Sequence, residues 1–164
     1  HIGGFKNNFT WGRFNLNVFF QWSYGNDVMN ANRIYLEGNQ TNRPALNQFK
    51  SYADRWTPEN SDSKMFRAGG QGPVGFYSSR TLEDGSFLRL KTLQLSYNLS
   101  ARACRYIGVQ NLSVYVSGQN LFTWTDYSGM DPEVSVRNSA LTPGFDYSAY
   151  PRSRTYVFGV KVTF

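Results

Sequence analysis

Asp131, Glu133, Asp146 and Arg154 lie within a short span near the C-terminal end, and carboxylates close together are the raw material of general acid–base catalysis. Such a set needs a nucleophile, a metal cluster, or a base with a reason for a shifted pKa. None is supplied. The one histidine is His1 and the one cysteine is Cys104, which excludes a His-based triad, an internal disulfide framework and a cysteine zinc cluster. Gly69-Gly70, Gly72-Pro73 and Gly75 lack the Gly-Lys-Ser/Thr ending of a phosphate loop and read as a flexible loop tip. The sequence therefore predicts no catalytic residue, no metal ligand and no cofactor. Asp131-Pro132 and Tyr150-Pro151 are better suited to locking a loop, because proline fixes its own φ and restricts its neighbour.

Aromatic residues make up 17% of the 164 residues, yet the mean hydropathy is −0.50. Sheet-forming chains combine rings with polar residues in this way, either to stack on ligands or to face lipid. No run approaches the roughly 18 apolar residues of a membrane helix. The net charge of +6 would suit nucleic acid, but Arg33, Arg43, Lys50, Arg55, Lys64, Arg67 and Arg80 are scattered through one long polar stretch with acids between them. No helical basic stripe or RNA-binding signature appears, so these residues read as a solvated surface and no nucleic-acid partner is expected. The chain lacks an initiator Met and a signal-peptide core, which reads as an internal start of a longer precursor.

The elements behind these residues show period-2 alternation. Phe14, Leu16, Val18, Phe20, Trp22 and Tyr24 alternate with Arg13, Asn15, Asn17, Phe19, Gln21 and Ser23. Similar patterns cover Leu93, Leu95, Tyr97 and Leu99, then Leu112, Val114 and Val116 with a phase slip near Gly118 that suggests a bulge. Tyr156, Phe158, Val160, Val162 and Phe164 close the series. Strands are expected at about 5–11, 14–24, 87–99, 112–124 and 154–164. Most exceed the ~5–6 residues of soluble sheets and match the ~9–11 of a tilted membrane strand. Rings gather toward segment ends (Trp11 and Phe14, Trp22 and Tyr24, Tyr97, Phe122 and Trp124, Tyr156 and Phe164), as in the aromatic girdles of membrane barrels. Short connections alternate with long ones, about 25–86 and 125–153, as when turns lie inside and loops outside. Short helices are expected at 27–36 and 44–55.

The segment Asp84-Gly85-Ser86-Phe87-Leu88-Arg89-Leu90-Lys91-Thr92-Leu93-Gln94-Leu95-Ser96-Tyr97 resembles a strand of SusC/RagA-family TonB-dependent transporters. The resemblance runs on through 114–124, Gly129-Met130-Asp131-Pro132-Glu133, Asp146-Tyr147 and 150–156 to the closing Phe158-Gly159-Val160-Lys161-Val162-Thr163-Phe164. Phe19-Phe20-Gln21-Trp22-Ser23-Tyr24-Gly25-Asn26-Asp27 fits as well, and the match is weakest over 38–83. It implies an all-β fold: the C-terminal portion, five antiparallel strands, of a transmembrane barrel of about 22. It also implies outer-membrane residence, TonB-driven import of glycans or peptides in Bacteroidetes, and a SusD-like lipoprotein partner. The remainder of the barrel, the plug and the TonB-contacting segment would lie outside this chain.

Under that resemblance Tyr156, Phe158, Val160, Val162 and Phe164 are expected to form the C-terminal barrel-assembly signal, since a free strand edge templates β-augmentation. They would also simply face lipid. Tyr127, Asp131, Phe145, Asp146, Tyr147 and Tyr150 are candidate contacts for cargo or partner, with packing inside the loop as the competing role. Asn15, Asn17, Gln21, Gln94, Gln119 and Asn120 point to a polar lumen, and lining a substrate path is the less favoured role. Arg154 is expected to pair with a loop carboxylate at the barrel mouth. The rival reading is a soluble β-sandwich carbohydrate-binding module with Trp and Tyr as stacking platforms.

Overall fold

A computed structural model describes residues 1–38, 47–68, 78–135 and 143–164. In chain order the strands are β1 (Ile2–Trp11), β2 (Phe14–Ser23), β3 (Asp27–Asn30), β4 (Leu82–Asp84), β5 (Phe87–Asn98), β6 (Asn111–Thr125), β7 (Phe145–Asp146) and β8 (Thr155–Thr163). The helices are α1 (Asn32–Leu36) and α2 (Ala101–Tyr106). The chain divides into a sheet unit, His1–Asn26 with Gly85–Asp126 and Pro151–Phe164, and a loop unit, Asp27–Asp84 with Tyr127–Tyr150.

The sheet unit is five antiparallel strands in the order β1-β2-β5-β6-β8. Directly paired residues share a face, so the register converts sequence alternation into rows. Trp11 faces Phe14, Phe14 faces Tyr97, Tyr97 faces Val114 and Val114 faces Val160. Phe9, Leu16, Leu95, Val116 and Phe158 form a row across the middle. Near the other end Trp22, Leu88 and Trp124 align. Every member of these rows is apolar. The opposite face carries Asn8, Asn17, Gln94 and Ser117 in one row and Thr10, Asn15, Ser96 and Tyr115 in the next.

The apolar face is not covered. Phe9 is 55% exposed, Trp11 84%, Phe158 79% and Val160 64%. A soluble sandwich would bury this face against a second sheet, and water penalises it at about 25 cal/mol per Å². Lipid does not. Rings mark two levels, with Trp11, Phe14 and Tyr97 at one end and Trp22, Phe122 and Trp124 toward the other, whereas Tyr156 sits at the intermediate level of Gly118.

Local chemistry fixes the details. Gly12 (φ 60) and Arg13 form a two-residue hairpin loop with positive φ at its first central position only, the II′ pattern that suits twisted strands. The phase slip expected near Gly118 lies two residues on. β6 spends Asn120 and Leu121 between Gln119, opposite Thr92, and Phe122, opposite Leu90. Asn120 takes the left-handed conformation (φ 53), and its side-chain amide donates to the Ser153 carbonyl at 3.1 Å. β6 thus carries one residue more than β5 here, and β5 carries one more, Lys91, than β2, so that Leu90, Phe122 and Trp124 stay in step with the apolar residues of β2. The 99–110 connection contains α2, whose cap Ser100 accepts from the Ala103 amide at 3.1 Å and whose Cys104 is buried.

The loop unit is built around β4-β3-β7. β3 pairs antiparallel with β4 and parallel with β7. This corrects the expected helix over 27–36: residues 27–30 are a strand, because their backbone bonds go to 82–84 and 145–146, and only Asn32–Leu36 is helical. The helix expected at 44–55 reduces to a 3₁₀ turn at Lys50–Asp54, while 44–46 lie outside the described residues. So do Arg43 and the Gly69–75 loop tip. Val28, Ala31, Ile34, Met65, Tyr127 and Val134 form the apolar core of this unit.

Candidate functional site

Among the described residues the densest polar constellation lies in the loop unit. Glu83 on β4 accepts from Arg33 Nη1 at 3.0 Å, Asn30 Nδ2 at 3.1 Å, and both the hydroxyl and the amide of Ser128 at 2.9 Å. Arg33 also reaches Glu37, one turn along α1, at 2.9 Å. Glu37 accepts from Ser51 at 2.9 Å and lies 3.5 Å from Arg80. Burial by itself would raise the Glu83 carboxyl, but the Ser128 hydroxyl and amide, Arg33 and Asn30 outweigh it and hold it below the ordinary range. For Arg33 burial works against the charge, and Glu37 and Glu83 more than restore it.

Tyr127 Oη donates to Asp146 Oδ2 at 2.7 Å, and both residues are buried. Burial first, then the Asp146 carboxylate, pushes the phenol far above its usual value. Asp131 is also buried, and its Oδ1 accepts from the Glu133 amide at 3.0 Å, closing a turn around Pro132. Phe145 is half-buried opposite Met29. Tyr147 is 40% exposed with its ring 5.1 Å from that of Tyr35, and Tyr150 is 88% exposed. Of the six candidate contacts, then, Tyr127, Asp131 and Asp146 hold the loop unit together, and Tyr147 and Tyr150 face outward. Among the described residues no group of three or more His, Cys, Asp or Glu is placed to hold a metal.

Sequence reasoning missed the Glu83 hub. Its partners lie 45 to 53 residues away along the chain, so no local spacing announces it. Arg154 also departs from expectation. Among the described residues it makes no ion pair, and its guanidinium instead lies 5.9 Å from the Phe122 ring centroid, a cation–π arrangement within the sheet unit.

In the sheet unit Asn15, Asn17, Gln21, Gln94 and Gln119 share the polar face, whereas Asn120 serves the bulge. Tyr156, Phe158, Val160 and Val162 form the apolar side of the edge strand β8, and Phe164, 84% exposed, follows it. What this unit offers is a wall with one apolar and one polar surface, not a reaction centre.

No family model matches the sequence. Two TonB-dependent receptors of Formosa agariphila, P26 and P3, are 38% and 36% identical to it over 99% and 98% of its length. The SusC receptor of Bacteroides thetaiotaomicron is 30% identical over 64%. Solved structures of the RagAB peptide importer in its closed-closed and open-open states superpose on 99% of the chain with a TM-score of 0.84 and 30% identity. The chain belongs to the SusC/RagA family of TonB-dependent receptors. It spans about 17% of the length of P26 and of the matched RagAB chain. Membership explains the uncovered apolar face: this is part of an antiparallel transmembrane barrel in the outer membrane of a Bacteroidetes cell. SusC/RagA receptors are transporters and not enzymes, and the sequence likewise provides no nucleophile beside a base.

Proposed function

We propose that this chain forms the C-terminal barrel wall and two extracellular loop segments, 25–86 and 125–153, of a TonB-dependent importer of oligosaccharides or peptides. The observation that carries this reading is the register. Five strands align their apolar residues into continuous exposed rows between two levels of aromatic rings, which suits a lipid-embedded wall. Energy would come from TonB acting on a plug outside this chain, and a SusD-like lipoprotein would close over the loops. Tyr147 and Tyr150 are the outward rings offered to cargo or lipoprotein. The row from Tyr156 to Phe164 would serve as the assembly signal. The RagAB relative is a peptide importer, which puts peptides beside oligosaccharides as cargo.

The test is uptake by cells carrying or lacking the full-length receptor, supplied with oligosaccharide or peptide mixtures as sole carbon source. Loss of uptake of one class on deletion supports the importer and names its cargo, while unchanged uptake of both overturns it. The sandwich rival is checked separately. A cooperative, monomeric β fold of the isolated chain in detergent-free buffer would favour it over the barrel wall.

A further inference from the structure

The positive charge of the chain is unevenly divided. The sheet unit holds nine of the 17 Lys and Arg residues but one acidic side chain, Asp126, while the loop unit holds the other ten acids. Asp126 follows the end of β6 that pairs with Phe87. At the opposite end, beside the Trp11–Phe14–Tyr97 row, stand Arg13, Arg102, Arg105 and Lys161. That end of the sheet unit therefore carries four basic side chains and no acidic one.

The same end holds an open cleft of about 720 Å³, lined by Leu99, Arg102, Arg105, Tyr106 and Ile107 among others. Tyr106 is 92% exposed and Ile107 51%. Ser100 caps α2, and Cys104 turns inward to anchor it, so the helix presents arginines together with apolar tips. The hydrogen bond from the Asn98 amide to the Arg13 carbonyl, 2.9 Å, ties the β1–β2 turn to the strand that leads into the cleft. Leu99 continues the apolar phase of Leu93, Leu95 and Tyr97, joining the cleft to the apolar face.

We propose that this cleft binds a glycerophospholipid headgroup of the periplasmic leaflet. Arg102 and Arg105 take the phosphate, while Tyr106 and Ile107 enter the acyl boundary. Charge complementarity selects the occupant: the two arginines that line the cleft, Arg102 and Arg105, match a phosphate, and each guanidinium fork can pair two of its oxygens at once. Continuity with the apolar rows places acyl chains where lipid already lies. Arginine stems cover apolar surface while their heads remain at the polar boundary. The choice of leaflet rests on the orientation proposed above, in which short connections face the periplasm.

The full-length receptor, extracted in detergent and freed of lipid, is titrated with phosphatidylglycerol or, separately, lipid A under native mass spectrometry. The expected result is saturable binding of phosphatidylglycerol that Arg102→Gln with Arg105→Gln weakens about thirtyfold, from the attraction each basic side chain contributes near an anionic surface. Arg154→Gln, at the other end of the sheet, leaves it unchanged. Retention of binding by a double variant that still shows heat-modifiable barrel mobility overturns the site. Preference for lipid A at these same arginines overturns the leaflet and, with it, the orientation that makes 25–86 and 125–153 extracellular, while the barrel wall itself is untouched. If the double variant does not fold, a photo-crosslinker at Ile107 in intact cells decides: a phospholipid adduct upholds the site, and an adduct to protein overturns it.

Discussion

Tyr115 on β6 lays its ring over Gly159, its directly paired neighbour on β8, so that a Cβ added to Gly159 would fall against the ring tip. The glycine is the seat for the tyrosine. Both lie on the polar side of the last strand pair, and the contact fills the hollow that a residue without a side chain leaves at the edge of the sheet. Gly159→Ala is expected to push the ring aside and destabilise the full-length barrel by roughly 1–3 kcal/mol. Tyr115→Ser should absorb most of that penalty when the two changes are combined. A double-mutant cycle on the unfolding equilibrium in lipid vesicles measures the coupling, and simple additivity would show that the ring and the glycine are independent.

The two faces of β6 differ in what they tolerate. Val116 stands in the middle apolar row, between Leu95 and Phe158, whereas Ser117 stands beside Gln94 and Val157 on the other face. Val116→Arg places a charge near the bilayer midplane and should cost about 2–4 kcal/mol. Ser117→Arg, one residue on, should cost less than ~1 kcal/mol on the side that membrane barrels keep polar. Folding free energies of the receptor in vesicles provide the comparison. Equal penalties would mean that the apolar rows do not face lipid.

The reasons for what the sequence disclosed, and what it hid, are physical. Period 2 is a property of each strand alone, so Phe14 to Trp22 or Tyr156 to Phe164 announce their apolar faces without knowledge of their neighbours. The bulge that the pattern announces near Gly118 is centred on Asn120, which takes the left-handed conformation although the glycine is the louder local signal. Residues 27–30 resemble a helix start until the partners of β3 are known, and those lie more than 50 residues away in β4 and more than 110 away in β7. The same distance concealed the Glu83 hub. The basic residues of the long polar stretch are offset by acids, as the sequence already shows, whereas the division that leaves the excess of positive charge in the sheet unit depends on which distant segments pair.

Glu83 offers the acid-side test. Its carboxyl is held below the ordinary range in the folded loop unit, chiefly by Ser128 once burial has been overcome. A group depressed on folding contributes stability that is complete above its unfolded value, here 4.5, and that is lost as pH falls through the folded value. Hydrogen exchange of the β3 and β4 amides in the full-length receptor should therefore accelerate as pH drops below about 4.5, after correction for intrinsic rates. Glu83→Gln should remove that dependence and weaken the unit by about 2 kcal/mol at neutral pH, since it strips the partly buried Arg33 of one of its two carboxylates. A pH profile identical in the variant would assign the effect elsewhere.

Tyr127 offers the alkaline-side test, with the opposite sign. Its phenol is raised well above 10 by burial and by Asp146, to which it donates. A raised group contributes stability that is complete below the unfolded value and is lost as pH climbs through the folded one. The loop unit should accordingly keep its protection at neutral pH and lose it progressively above about pH 10. Tyr127→Phe removes the hydrogen bond that Asp146 Oδ2 accepts, and among the described residues the buried Oδ1 accepts none. It should destabilise the unit by about 1–3 kcal/mol at neutral pH, the penalty of an unsatisfied buried acceptor. It should also flatten the loss above pH 10, because the ionising group is gone. Asp146→Asn separates the two effects: it leaves the phenol a neutral acceptor and should bring the alkaline transition to lower pH. Proteolysis of the loop unit across this pH range reads all three proteins, and an alkaline transition that persists in Tyr127→Phe would show that another group governs it.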